Sequence, residues 1–136
     1  MIKLIVGLKG TGKTKHLIEL VNRSVETSPG NVVCIEKGNK LIFDIRHQVR
    51  LIDTEVYSVD SADSLYGLVC GVLAANYDIK DVFIDSALKI CDEKLDEFTE
   101  LIAKLDAIAG NFEINFVITS SIALDNLPEK LKGYLI

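Results

Sequence analysis

Cysteine is scarce in this chain of 136 residues, and tryptophan is absent. Cys34, Cys70 and Cys91 are odd in number, lie far apart and form no C-x-x-C pair, which argues against a zinc site and against a disulfide framework. Cys34 lies in an apolar run and Cys70 on the face of a predicted helix, where we expect buried free thiols. Such cysteine usage indicates a reducing compartment, the cytoplasm.

Positive charge and long apolar runs are also limited. The formal net charge is −5 and the sequence shows no cluster of lysines and arginines, which argues against nucleic acid as a partner. The arginines are Arg23, Arg46 and Arg50, so few residues are available as an arginine finger. The first apolar segment, Ile2–Val6, is too short for a signal peptide or a membrane helix. We therefore expect a soluble, cytoplasmic protein without a membrane partner.

A glycine-rich motif near the start of the chain indicates a phosphate site. Residues 7–14 match G-x-x-x-x-G-K-[ST], the P-loop or Walker A pattern. The glycines of this motif allow backbone angles that turn successive N–H groups toward a phosphate. Lys13 would bring a positive charge to the β- and γ-phosphates, and the Thr14 hydroxyl would bind Mg²⁺. The predicted nucleotide-binding residues are Gly7, Leu8, Lys9, Gly10, Thr11, Gly12, Lys13, Thr14 and Lys15.

The surroundings of the motif fit this interpretation. Ile2–Val6 reads as a β-strand, and Leu17, Leu20 and Val21 lie on one face of a predicted helix that begins near Lys13. The N-terminus of such a helix adds unpaired N–H groups and a favourable dipole for an anion. The alternative is a glycine-rich turn with a solvated Lys13.

Alternating strand and helix patterns predict one α/β domain over residues 1–136, with a mainly parallel sheet flanked by helices. An edge β-hairpin is predicted from the short apolar runs Leu41–Phe43 and Val49–Ile52. The further predicted strands are Val32–Ile35, Asp81–Asp85, Ile114–Ile118 and a last edge strand at Tyr134–Ile136. The further predicted helices run from Ser61 to about Asn76 and from about Leu95 to Gly110–Asn111.

Asp85 is predicted to complete a magnesium site. It ends the apolar run Val82–Ile84, which resembles a Walker B strand, and P-loop proteins hold Mg²⁺ with such a carboxylate. Ligands of parallel sheets bind beyond the carboxyl ends of the strands, which is where Asp85 would lie. The alternative role is to cap a following helix.

Two more polar residues follow predicted strands. Glu36 would act as a substitute catalytic base or remain a solvated strand-end residue. Thr119 would contact the γ-phosphate or the attacking water. The alternative is an ordinary polar residue at a strand end or a helix cap. Residues 39–42 begin the guanine-reading N-K-x-D pattern but have Ile42 in place of aspartate. Adenine, and hence ATP with Mg²⁺, is therefore expected by elimination.

Residues 7–14, Asp85 and Thr119 together resemble P-loop NTPases of the additional-strand, RecA-like division, over roughly residues 1–121. The resemblance implies a three-layer sandwich with the P-loop strand in the middle of the sheet. It also implies that the Thr119 strand lies between the P-loop strand and the Asp85 strand. The chain is similar as well to small stand-alone bacterial P-loop proteins sometimes labelled twitching-motility ATPases. Many hydrolases of the division carry glutamate where this chain has Ser86.

Three functions follow from these residues. The first is ATP binding with slow or partner-stimulated hydrolysis, in which a protein partner or a second copy of the chain supplies the missing base and finger. The second is a non-catalytic module that binds nucleotide as a switch or structural ligand. The third is a small-molecule kinase that uses the predicted hairpin near Arg46 and Arg50 for the acceptor.

Overall fold

Five strands and four α-helices make up the chain, which a computed structural model describes over all 136 residues. The strands are β1 (Ile2–Gly7), β2 (Asn31–Glu36), β3 (Arg50–Asp53), β4 (Ile79–Ile84) and β5 (Asn115–Ser121). The α-helices are α1 (Lys13–Thr27), α2 (Ala62–Ala75), α3 (Ala87–Ile90) and α4 (Leu95–Phe112). Two 3-10 helices, Leu124–Asn126 and Glu129–Tyr134, form most of the C-terminal tail. The predicted α/β class is confirmed.

All five strands belong to one parallel sheet with the order β1-β5-β4-β2-β3. As expected, β5 lies between β1 and β4. The expected central position of the first strand is wrong, because β1 is the edge strand of this sheet. Beside it the C-terminal tail adds one bridge, between Leu4 and Leu135, and the Ile136 N–H donates to the Leu4 carbonyl over 3.1 Å. The predicted last edge strand is thus reduced to a single bridge.

Helices cover both faces of the sheet and create two apolar cores. The larger core packs α2 and α4 on one face, and its buried residues include Phe98 and Ile102 of α4 and Ile84 of β4. The smaller core packs α1 on the other face, where Leu17 contacts the side of the sheet that carries Phe83. Neighbouring strand residues therefore point to opposite cores, as in parallel sheets that are buried on both faces.

The predicted hairpin is wrong, although its second strand, Val49–Ile52, corresponds to the edge strand β3. The segment between β2 and β3 forms turns, and β3 runs parallel to β2. Leu41, Ile45 and Val49 are buried in the smaller core together with α1. Their spacing of four residues fits successive helical turns, and the Ile45 N–H donates to the Leu41 carbonyl over 3.0 Å. A hairpin would instead require apolar residues that alternate with polar ones.

The helix ends differ in how well the sequence predicts them. Helix α2 begins as expected, because Ser61 and Ser64 form a reciprocal cap in which each side chain accepts the other's backbone N–H. Helix α4 continues past Gly110, the expected end, and stops at Glu113, which adopts the left-handed conformation. Helix α3 has no counterpart in the sequence-based prediction. No helix of the chain has both the length and the apolar character that crossing a membrane requires.

Candidate functional site

A cavity of about 460 Å³ lies where β1, β2 and β4 end. The glycine loop, which we define as residues 7–14, forms one wall together with the start of α1. The segment after β2 and the short helix α3 form the facing wall. Because all these strands are parallel, their carboxyl ends bring the loops to the same edge of the sheet, the place where such sheets bind ligands.

The glycine loop is closed on itself around the carbonyl of Leu8. The Thr11 hydroxyl donates to this carbonyl over 2.7 Å, and the Lys13 ammonium donates to it over 2.8 Å. Gly10 and Gly12 have φ angles of 85° and 84°, a left-handed conformation that side chains disfavour. Gly12 immediately precedes α1, whose first N–H groups have no partner within the helix, and Lys13, Thr14 and Lys15 of this turn line the cavity.

Asp85 connects the glycine loop to the centre of the sheet. Its carboxylate, 8% exposed, follows β4 and accepts from the Thr14 hydroxyl over 3.2 and 3.3 Å. The Thr119 hydroxyl of β5 donates to the same carboxylate over 2.7 Å. Thr119 is 1% exposed and does not line the cavity, so its hydroxyl orients Asp85 from behind.

Ser86 takes the place after Asp85 and has a left-handed backbone with φ of 57°. Its N–H donates to the Thr119 hydroxyl over 2.8 Å, and its own hydroxyl lies 3.4 Å from an Asp85 oxygen. The chain then turns into α3, whose Leu88 N–H donates to the Ser120 hydroxyl over 3.3 Å. Two strand-end hydroxyls of β5 therefore fix the position of α3 at the cavity wall.

Glu36 is buried, and the solvated alternative is wrong for it, because it is 2% exposed and lines the cavity. Its two carboxylate oxygens accept the N–H groups of Lys40 and Leu41 over 3.1 and 3.2 Å. Burial raises the pKa of Glu36, the two backbone N–H groups lower it, and the charges of Asp85 and Asp53 raise it further. The carboxylate therefore shapes the facing wall and lies within the field of Asp85.

The cavity is strongly basic although the whole chain is acidic. Half of the twelve lysines line it, together with three carboxylates, which leaves a formal excess of three positive charges. No arginine lines it, and none of its lysines forms an ion pair. The lining lysines are Lys9, Lys13, Lys15, Lys37, Lys40 and Lys89. Such a concentration of charge attracts and holds anions.

The structure brings most of the predicted site residues together. Asp85 and Glu36 line the same cavity as most of the glycine loop and Lys15, whereas Gly7, Leu8 and Thr11 do not line it. The lining residues from the glycine loop and α1 are Lys9, Gly10, Gly12, Lys13, Thr14 and Lys15.

Sequence reasoning missed the basic residues of the facing wall, Lys37, Lys40 and Lys89. Lys37 directly follows the carboxyl end of β2, a position that signals a ligand site in a parallel sheet. Lys89 offered no such signal, because α3 was not predicted.

The oxygen atoms around Thr14 and Asp85 fit a hard divalent cation. Mg²⁺ is usually held by one or two carboxylates together with phosphate oxygens and water, rather than by a complete protein cage. The Thr14 hydroxyl and the Asp85 carboxylate beside the glycine loop are ligands of this kind. No group of three or more histidine, cysteine, aspartate or glutamate side chains in the chain, at this site or outside it, is placed to form a metal cage.

No family model matches this chain, and no curated protein sequence matches it.

Proposed function

We propose that the chain is a P-loop protein that binds a nucleoside triphosphate, ATP first, together with Mg²⁺. The observation that carries the proposal is the contact between Thr14 and Asp85, a hydroxyl and a carboxylate 3.2 Å apart beside a loop of left-handed glycines. A P-loop nucleotide site needs this pairing of a loop hydroxyl with a strand-end carboxylate. The resemblance of residues 7–14, Asp85 and Thr119 to the RecA-like division supports nucleotide binding, and membership of that division is part of the proposal.

Each residue of the site has a defined part in this proposal. The N–H groups of the glycine loop and of the first turn of α1 bind the phosphates. The Lys13 ammonium leaves the Leu8 carbonyl and pairs with the β- and γ-phosphates. Thr14 and Asp85 hold Mg²⁺, which neutralises charge on the phosphates when bound. Thr119 keeps the Asp85 carboxylate in its orientation.

Hydrolysis is slow or stimulated by a partner in this proposal, because the cavity lacks two parts of a fast hydrolase. Ser86 offers no carboxylate to orient the attacking water, and both oxygens of Glu36 are taken by backbone N–H groups. No arginine lines the cavity. A protein partner or a second copy of the chain would supply the missing groups.

The same geometry supports a non-catalytic nucleotide switch as the alternative. The kinase alternative loses the acceptor site that was expected, because the hairpin is not formed and Arg46 pairs with Glu26 on the surface. Arg50 also lies outside the cavity.

Equilibrium dialysis with labelled ATP and GTP, with and without Mg²⁺, tests the proposal. The wild type should bind ATP more tightly with Mg²⁺ than without it, and Asp85→Asn should remove most of that difference. Phosphate release should be slow in the wild type and faster in Ser86→Glu, which supplies the missing carboxylate. The proposal is wrong if neither nucleotide binds at millimolar concentration, or if Asp85→Asn leaves the Mg²⁺ dependence unchanged.

A further inference from the structure

We propose that the cavity holds a second anionic group beside the nucleotide phosphates, bound by Lys37, Lys40 and Lys89. The inference rests on the proposed function and names a second ligand for the same site: a small phosphorylated molecule. The ammonium group of lysine binds phosphate as a point charge, whereas arginine binds carboxylate or phosphate through two parallel hydrogen bonds. Three lysines and no arginine therefore suit a phosphate group.

The facing wall is built so that two of these lysines reach the cavity. Glu36 accepts the N–H groups of Lys40 and Leu41, and Asp53 accepts the N–H of Gly38 over 2.9 Å. Gly38 has a φ of 98°, which allows the turn between the two anchors. The backbone of residues 37–41 is therefore fixed by two carboxylates, while the ammonium groups of Lys37 and Lys40 form no ion pair.

The charge of the cavity exceeds what one nucleotide requires. Lys9, Lys13 and Lys15 already belong to the glycine loop and to the start of α1, and bound Mg²⁺ neutralises part of the triphosphate charge. Lys37, Lys40 and Lys89 come from other elements, and the phosphate-binding motif does not account for them. These three lysines form no ion pair, so their charge is available to an anionic ligand in the cavity.

The lining also indicates which part of a nucleotide stays outside. Two of the sixteen lining residues are hydrophobic, Leu41 and Leu88, and none is aromatic. A nucleobase needs apolar or aromatic surface, so the base and ribose lie beyond the rim. The region between the two walls is left for charged groups: the triphosphate at the glycine loop, and the phosphate of the second ligand at the facing wall.

Calorimetric titration of pyrophosphate tests the inference, with the protein first saturated by Mg²⁺ and a non-hydrolysable ATP analogue. The wild type should bind pyrophosphate without releasing the analogue. The double variant Lys37→Ala/Lys40→Ala should bind it about tenfold more weakly or worse, and its affinity for the analogue should change less than about threefold. Lys89→Ala should weaken pyrophosphate binding in the same way. Lys130→Ala, an exposed lysine outside the cavity, should change neither affinity.

Three results would overturn the inference: no pyrophosphate binding by the saturated wild type, displacement of the analogue, or a loss of analogue affinity in the double variant as large as in Lys13→Ala. If the analogue itself fails to bind, the proposed function is wrong. In that case, pyrophosphate titration of the nucleotide-free protein tests the inference independently of the proposed function. Two pyrophosphate sites, one lost in Lys13→Ala and the other in the double variant, support it, and a single site contradicts it.

Discussion

The Thr14 hydroxyl lies 3.2 and 3.3 Å from the two carboxylate oxygens of Asp85, although 71 residues separate the two in sequence. The Thr119 hydroxyl donates to the same carboxylate over 2.7 Å. The orientation of Asp85 is therefore fixed by two elements of the fold before any ligand binds. When side chains are held in place before binding, the free-energy cost of ordering them on binding is small.

Thr119→Val should destabilise the fold by about 1–3 kcal/mol, because it removes the acceptor of the Ser86 N–H and a donor to Asp85 in a buried place. The free energy of unfolding in urea measures this loss. Thr99→Val is the matched control, since its hydroxyl bonds only the Leu95 carbonyl of its own helix. The control should change stability by less than about 0.5 kcal/mol. Equal losses of unfolding free energy in the two variants would contradict the role of Thr119 in holding Asp85 and Ser86.

Gly12→Ala should weaken ATP binding and destabilise the protein by about 1–2 kcal/mol, because a residue with a Cβ is strained at φ of 84°. Nothing lies within 4 Å of the added methyl group, so the backbone conformation alone accounts for the cost. Gly110→Ala, inside α4 and equally open, should instead stabilise the protein by about 0.5–1 kcal/mol. Thermal unfolding measures whether each substitution lowers or raises the stability. A stabilising Gly12→Ala would contradict the left-handed backbone conformation of Gly12.

Glu36 should make the stability of the wild type depend on pH in a way that Glu36→Gln does not. Because its pKa is raised in the folded state, the folded protein binds the proton more tightly than the unfolded chain does. This contribution is complete below the ordinary value of 4.5 and is lost as the pH rises toward the folded pKa. Within that window the wild type should lose about 1.4 kcal/mol per pH unit relative to the variant.

Urea unfolding of both proteins, from pH 4.5 to neutral pH, measures this difference. Glu19→Gln, on the exposed surface of α1, is the control for the loss of one carboxylate from the chain. A wild type that gains stability relative to Glu36→Gln as the pH rises would show that the two backbone N–H groups outweigh burial.

The sequence predicts the site where its signal is local. The glycine loop, its strand and helix, and Asp85 are encoded within short segments, and the structure brings Thr14 and Asp85 together. The position of β1 at the edge depends on which strands pair, and pairing between distant segments leaves no mark in a local pattern.

The errors also have physical reasons. The run Leu41–Phe43 imitates a strand, yet Leu41 packs with Ile45 and Val49 in the smaller core that includes α1. The burial of Glu36 is not predicted, because residues 41–43 are expected to form a strand, whereas this segment forms a turn whose N–H groups bind the carboxylate. Lys89 reaches the cavity only because β5 hydroxyls fix α3, a tertiary effect.

Alkylation of the native protein should modify Cys70 first. Cys70 is half-buried on α2, whereas Cys34 and Cys91 are fully buried. Burial and the nearby Glu97 charge raise the pKa of the Cys91 thiol to about 12, and burial raises that of Cys34 further. Mass spectrometry after iodoacetamide treatment at about pH 8 should therefore show one modified residue. Early modification of Cys34 would contradict the packing of the smaller core.

The most direct test of the central claim is calorimetric titration of Mg²⁺-ATP into the wild type, Lys13→Ala and the control Lys130→Ala. Lys13 lies in the glycine loop with its ammonium on the Leu8 carbonyl, whereas Lys130 lies outside the cavity. We predict saturable binding by the wild type and the control, and an affinity roughly 10- to 100-fold lower for Lys13→Ala, the loss expected for one charge-assisted contact. Absence of binding at millimolar ATP, or equal affinity of wild type and Lys13→Ala, would contradict a nucleotide site at the glycine loop.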